Sequence, residues 1–262
     1  MQIENRSVPF LRWPTRVVVA CAAVGLACAG GEALDAQSHW GDPGDYVYRV
    51  ETLQAAPGRM FDLMDLYRTY FDELQAVGEE RPMWMRHSQG DRWDLMVVYP
   101  IGTMAGYFGE ERANARARLA ERTAEMDRIT GWREELFARG PGLDAVRAAY
   151  GEAGLFHIEM FVGLPGKRDE LLTQRRMENQ YYTNIRERGN AIFVRIGGAE
   201  FDAFTIGFYG DLKDYADTGD AMTEEQDRQA QADAGFTPGE IGLYLRTLLL
   251  RHHDTLAVRI QG

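Results

Sequence analysis

Only two cysteines stand in 262 residues, Cys21 and Cys28, and both lie in the N-terminal 36 residues. Beyond that stretch the chain offers no disulfide, no thiol nucleophile and no cysteine metal ligand. In an oxidising compartment the core alone must hold it together. Positive charge is also short: 29 Lys and Arg face 40 Asp and Glu, for a net charge of −11 and a pI near 5.0. That balance argues against nucleic acid or an anionic membrane surface as a partner. The sequence has no GxGxxG after a strand, no P-loop, no GxSxG and no HExxH, so the nucleotide, hydrolase and zincin chemistries that those spacings serve have no support.

Long apolar runs are scarce too. The one that stands out covers 17–27, behind Arg6, Arg12 and Arg16. It has the length and flanks of a signal-peptide core and is short of the roughly 20 residues a bilayer span needs. We expect a signal peptide over 1–36, cut between 29 and 37, and a mature chain with no integral membrane segment that is exported to the periplasm or beyond. Cys28 after Gly25-Leu26-Ala27 leaves lipidation open.

What the sequence does have is 45% hydrophobic and 11% aromatic residues, enough for a sizeable core, and a self-similarity at a fixed offset of 108 residues. Glu51 falls on Glu159, Pro57-Gly58 on Pro165-Gly166, Arg59 on Lys167 and Arg68 on Arg176. Further along, Gly90 falls on Gly198, Asp94 on Asp202, Tyr107 on Tyr215 and Gly131 on Gly239. This period is too long for a solenoid, so each copy is a domain-sized unit.

Each copy reads in the same order. Alternating strands are expected at 46–54 and 155–163, each followed by the Pro-Gly turn and a helix. In copy one Met60, Leu63, Met64, Tyr67, Phe71 and Leu74 recur at helical spacing. Copy two is more polar there, with Leu171, Leu172, Met177, Tyr181 and Ile185. Hairpins pair 82–87 with 93–99 and 191–196 with 201–208, through turns at Ser88-Gln89-Gly90-Asp91 and Gly197-Gly198-Ala199-Glu200. Thr223 with Gln226 reads as a capping box. Copy two closes with a helix over 239–251 and a strand over 255–260. Copy one closes less plainly, with 137–139 as its last strand and a linker helix over 143–150. The order is βαββαβ, the ferredoxin-like split unit. The expected class is α+β, with one unit at 45–150 and a second at 154–262.

A strand, a Pro-Gly turn, an amphipathic helix and a β-hairpin together resemble the dimeric α/β-barrel superfamily. That group includes antibiotic-biosynthesis monooxygenase-like, EthD-like and NIPSNAP-like domains. The resemblance covers about residues 45 to 262. It implies that the two units face their sheets together as an intramolecular barrel. The superfamily includes haem-binding proteins, cofactor-free oxygenases and isomerases, so the fold leaves the function open.

Strand alternation sorts candidate site residues. Tyr48, Val50 and Thr52, with Phe156, Ile158 and Met160, form an apolar face expected to pack on the helices. Arg49, Glu51 and Leu53, with His157, Glu159 and Phe161, are then expected to point into the barrel. Glu51 and Glu159 are the candidate catalytic carboxylates; Arg49, His157, His87 and its counterpart Arg195 are the candidate ligand-binding residues. The competing reading is an ion-pair network closing the sheet interface. His252 and His253 are expected just ahead of the last strand, solvated and pointing different ways. A metal would need His157, a Glu and one of these two to converge; no spacing calls for that, and no metal or cofactor is expected. His39 lies near the expected mature N-terminus. The run over 112–128 mixes Arg with Glu and Asp and reads as a solvated helix face. Trp84, Trp93 and Trp132 read as core.

Several functions stay open. The first is binding of a small molecule between the two sheets. The second is a cofactor-free oxygenase or isomerase, with Glu51 or Glu159 as general base and Arg49 or His157 stabilising an oxyanion. The third is non-covalent haem binding, with His157 as axial ligand and Arg49 or Arg195 on the propionates; there is no CxxCH. The fourth is a structural or interaction module, favoured if large apolar side chains fill the barrel interior. The substrate and the oligomeric state are left open.

Overall fold

The repeated Pro-Gly is a tight turn in both copies. Arg59 N donates to Ala56 O and Lys167 N to Leu164 O, each at 2.9 Å. Gly58 and Gly166 sit at φ +77° and +79°, so Pro at the second position and Gly at the third make the type II geometry that starts each helix. The computed structural model describes residues 40, 42–217 and 222–260. The signal-peptide reading, Cys21, Cys28 and His39 lie outside the described residues.

The first unit runs β1 (Tyr46–Ala55), α1 (Met60–Ala76), β2 (Met83–Gln89), β3 (Leu95–Gly102), three short helices and β4 (Thr130–Gly140). The short helices are α2 (Met104–Tyr107), α3 (Glu110–Ala117) and α4 (Ala120–Arg128). The linker helix α5 (Leu143–Glu152) leads to the second unit: β5 (Leu155–Gly163), α6 (Arg168–Asn184), β6 (Ala191–Gly198) and β7 (Ala203–Tyr209). It continues with α7 (Leu212–Ala216), α8 (Glu224–Asp233), α9 (Ile241–Leu248) and β8 (Leu249–Arg259). The capping box at Thr223 and Gln226 is present at the start of α8.

The eight strands close into an antiparallel barrel in the order β1-β3-β2-β8-β5-β7-β6-β4. Each unit supplies four strands in the ferredoxin-like order, and the seams between units are β2 with β8 and β4 with β6. The hairpin glycines of the repeat serve these seams. Gly90 and Gly198 sit at φ +111° and +100°, and a Cβ there would overlap the backbone carbonyls of Asp254 and Glu135 on the other unit. Asp94 and Asp202 accept from the backbone N–H of Ala55 and Gly163, at 2.8 and 3.0 Å, and so tie each hairpin to the end of its first strand.

The faces are the reverse of the sequence expectation. Tyr48, Val50, Phe156, Ile158 and Met160 point into the barrel, in one buried cluster with side chains from all eight strands, among them Met85, Met96, Leu136, Phe193, Phe204 and Ala257. Arg49, Glu51, His157 and Glu159 point outward, under the helices. The physical reason is that a barrel interior has no other layer to cover it, so it takes the more apolar face. The outer face meets helices that can bring polar partners. Trp93 and Phe201 pack in the same cluster as the interior, as do Val146 and Ala149 of α5. The volume where a ligand was expected, between the two sheets, is filled by core side chains. No helix among the described residues is long and apolar enough to cross a membrane.

Candidate functional site

Polar groups collect on the outer face of each sheet, where the first strand pairs with the last. In the first unit, Glu51 lies opposite Glu135 and Leu53 opposite Arg133. Arg49 donates to Glu51 Oε1 at 2.8 Å and to Glu135 Oε2 at 2.6 Å. Tyr67 of α1 and Tyr99 of β3 donate to Glu51 Oε2 at 3.2 and 3.0 Å. Burial and the neighbouring Glu51 carboxylate push both tyrosine hydroxyls well above their ordinary range. Arg133 pairs with Asp127 at 2.7 Å and lies in the field of Glu51. Every charge here has a protein partner, and Glu51 is 5% exposed. This arrangement is an ion-pair network in which both Glu51 oxygens have protein partners.

The second unit keeps the register and changes the chemistry. Glu159 lies opposite Asp254 and Phe161 opposite His252. Arg175, from α6, donates to Glu159 Oε2 at 3.1 Å, as does Thr205 Oγ1. Arg175 also pairs with Glu178. His252 Nε2 is 3.3 Å from Glu159 Oε1 and 3.5 Å from Asp254 Oδ1, and His157 Nε2 is 3.2 Å from the same Asp254 oxygen. The ring of His252 stacks on Phe161 at 4.9 Å, and the Arg175 guanidinium lies over the same phenyl ring, 4.7 Å from its centroid.

The local charges set the protonation of this cluster. Burial pushes Glu159 up, but the His252 contact and the charges of Arg175, His157 and His252 outweigh it and hold the carboxyl at about 2. Burial raises Glu178, which shares Arg175 with Glu159. Burial pushes His157 down, yet the Asp254 contact and the nearby carboxylates leave it above its ordinary value. A carboxylate held well below its ordinary range is a weak general base at neutral pH.

A cleft of about 480 Å³ opens on this cluster. It is lined by Gln89 and Gly90 from the first unit and by His157, Tyr215, Asp254, Thr255 and Leu256 from the second. Tyr215 packs against the His157 ring at 5.3 Å. Larger clefts lie elsewhere, at about 620 Å³ between α6 and α8 and about 670 Å³ beside Trp84 and Tyr150, but neither is lined by a histidine beside a carboxylate.

The remaining candidates are placed apart. His87 shares the inner face with Met83 and Met85 and sits edge-on to Trp93 at 5.8 Å. Arg195 is paired with Asp202 at 2.8 Å. His253 contacts Asp91 at 3.1 Å and Phe201 at 5.8 Å. The two adjacent histidines do point different ways, as expected, but both stand on β8, which begins at Leu249. Alternation therefore carries His252 onto the outer face beside Asp254.

No protein-family model and no curated protein sequence matches the chain. Among solved structures it is similar to an anthrone oxidase-like protein, with a TM-score of 0.53, 12% identity, and coverage of 83% of this chain and 92% of that one. It is also similar to a mutant chlorite dismutase from Candidatus Nitrospira defluvii, with a TM-score of 0.49, 12% identity, and coverage of 84% and 93%. The fold is that of the dimeric α/β barrels.

As a dimeric α/β barrel at such low identity, the chain shares architecture and not demonstrated chemistry with these proteins. The sequence reading offers haem at His157, but the side chains around that ring are mostly charged. That ring is enclosed by Asp254, Glu159 and Tyr215, with Arg175 and Glu178 behind them. A porphyrin face needs apolar walls, and burying it against charged side chains would cost their solvation. Asp254 is the residue that sequence reasoning missed. The signal that could have found it is the polar helix of copy two: α6 buries Gln174, Arg175 and Asn179, where α1 buries Tyr67, Tyr70, Phe71 and Leu74.

Proposed function

We propose that the protein binds a small polar molecule in the cleft on the outer face of the second sheet, under α7, and not between the two sheets. The observation that carries this reading is the cleft itself. It has His157 and Asp254 in its wall, and the buried Glu159 and Arg175 lie behind them. Convergent polar groups with displaced protonation at a concave surface are the usual marks of a binding site. The site draws Gln89 and Gly90 from the first unit, so the duplication supplies both halves of it. A binding role fits better than a general-base enzyme, because Glu51 is sealed in its own network and Glu159 stays ionised.

A thermal-shift screen of the purified protein against small polar molecules tests this. Hits should lose their shift in Tyr215→Ala and Asp254→Asn and keep it in His87→Gln. Shifts indifferent to Tyr215 and Asp254 would move the site elsewhere. The reading includes export, supported by the arginine-flanked apolar run over 17–27. N-terminal sequencing of the protein recovered outside the cytoplasm should find a start between 30 and 37, and an intact Met1 would overturn export by cleavage.

A further inference from the structure

The two outer clusters occupy equivalent positions and differ in one systematic way. Arg49 corresponds to His157 and Arg133 to His252, while Glu51 and Glu135 correspond to Glu159 and Asp254. Both arginines of the first unit are histidines in the second, and both carboxylates are kept. A guanidinium has no lone pair to offer a cation, whereas a neutral imidazole is a common metal ligand. The first unit thus neutralises its carboxylates with its own side chains. The second places nitrogen and oxygen donors of the kind that divalent transition metals take.

We propose that His252 Nε2, Glu159 Oε1 and Asp254 Oδ1 bind one divalent metal ion of the zinc type, with His157 as a positioning residue on Asp254. The inference rests on the cleft reading above, because the cleft gives the ion its access to solvent.

Four observations carry it. One donor atom from each of the three residues lies within 4.8 Å of the others. His252 Nε2 stands 3.3 Å from the Glu159 oxygen and 3.5 Å from the Asp254 oxygen. Donors around a tetrahedral ion with bonds of about 2.0–2.1 Å sit roughly 3.3–3.4 Å apart, so the two separations from His252 fit a shared ion, and the two carboxylate oxygens lie within 4.8 Å of each other. Second, His252 Nε2 is sealed from solvent and lacks a well-aligned hydrogen bond, although two carboxylate oxygens are close to it. A buried nitrogen in that condition is costly, and an ion between nitrogen and oxygens satisfies all three groups.

Third, the ligands are held from behind. Arg175 and Thr205 occupy Glu159 Oε2 and leave Oε1 facing His252. Phe161 fixes the imidazole plane by stacking, and His157 reaches Asp254 Oδ1 at 3.2 Å. Partners of this kind orient metal ligands. Fourth, the charge suits a dication. Three carboxylate side chains, Glu159, Glu178 and Asp254, stand in this cluster with the single guanidinium of Arg175. Three protein ligands leave a coordination position open, on the side where Asp254 is 58% exposed toward the cleft.

Isothermal titration of the chelator-treated full chain with zinc chloride, with no organic ligand present, tests the proposal. We expect one ion per chain. Cobalt(II) in its place should give the absorption bands of a four-coordinate site. Asp254→Asn, at an exposed side chain, and His252→Gln should each weaken zinc binding at least about tenfold, and His157→Gln by about tenfold. His87→Gln and His253→Gln should change neither stoichiometry nor affinity. Circular dichroism confirms that each variant is folded. No zinc binding by the wild type, or binding that survives both Asp254→Asn and His252→Gln, overturns the metal site. If organic molecules still shift the melting temperature through Tyr215, that result removes the ion and keeps the cleft. Loss of both removes the cleft reading as well.

Discussion

Replacing Phe193 by Ala tests whether the barrel interior is a core or a container. Phe193 has no exposed surface. Its ring stacks on Phe204 with centroids 4.6 Å apart and planes 1° from parallel, and it meets the edge of Tyr48 at 5.3 Å. Across the barrel wall it packs so closely on Gly140 that a Cβ there would overlap the ring. Removing a fully packed phenyl ring from such a site costs about 3–5 kcal/mol, the lost transfer energy plus the cavity left behind. For a chain of this size each kcal/mol moves the melting temperature by about 2–4 °C, so calorimetry should show a fall of about 6–20 °C. A hollow barrel would behave differently, because a ring lining an open, hydrated space has little packing to lose. A fall below about 3 °C would refute the filled interior and return the ligand to the space between the sheets.

Three further outcomes follow from the same contacts. Glu51→Ala leaves Arg49 without its main partner and two buried tyrosine hydroxyls without an acceptor, so urea denaturation should register a loss of about 3–5 kcal/mol. Burial raises Glu79, but hydrogen bonds from Arg112 and Arg116 outweigh it and hold the carboxyl below its ordinary value. Its stabilisation is therefore present above the unfolded value of about 4.3 and lost as pH falls through the lower folded value; the stability gap between wild type and Glu79→Gln should close below about pH 4. Thr223→Ala removes the acceptor for Gln226 N and breaks the capping box, which should cost about 0.5–2 kcal/mol by the same denaturation assay.

Much of the architecture was legible because the repeat falls on backbone devices. Gly58 and Gly166 make the same turn, Gly90 and Gly198 the same close approach between units, and Asp94 and Asp202 the same acceptor for a strand N–H. Such positions have few chemical solutions, so both copies kept them. The facing of β1 and β5 was not legible, because both faces of these strands are buried: Tyr48 and Val50 on one side, Glu51 and Leu53 on the other. Alternation separates the two faces but does not say which one meets a helix.

The site was hidden for a second reason. The offset of 108 residues holds through the hairpins but not to the last strands. Glu135 and Arg133 correspond to Asp254 and His252, an offset of 119. The match of Gly131 with Gly239 therefore joins the start of β4 to the turn before α9 and is not a structural equivalence. With the true register in hand, the exchange of two arginines for two histidines becomes visible.

On the proposed reading, this exchange separates a structural cluster from a binding one. The most direct measurement converts the second cluster into the first, with His157→Arg, His252→Arg and Asp254→Glu in one chain. Thermal shifts of this variant and of the wild type are then recorded with zinc chloride and with the small polar molecules that bind the wild type. The variant should melt cooperatively, with its carboxylates paired to arginines as Glu51 and Glu135 are, and should show no shift with any of these additives. If a cooperatively melting variant keeps the wild-type shifts, the function does not reside on the outer face of the second sheet.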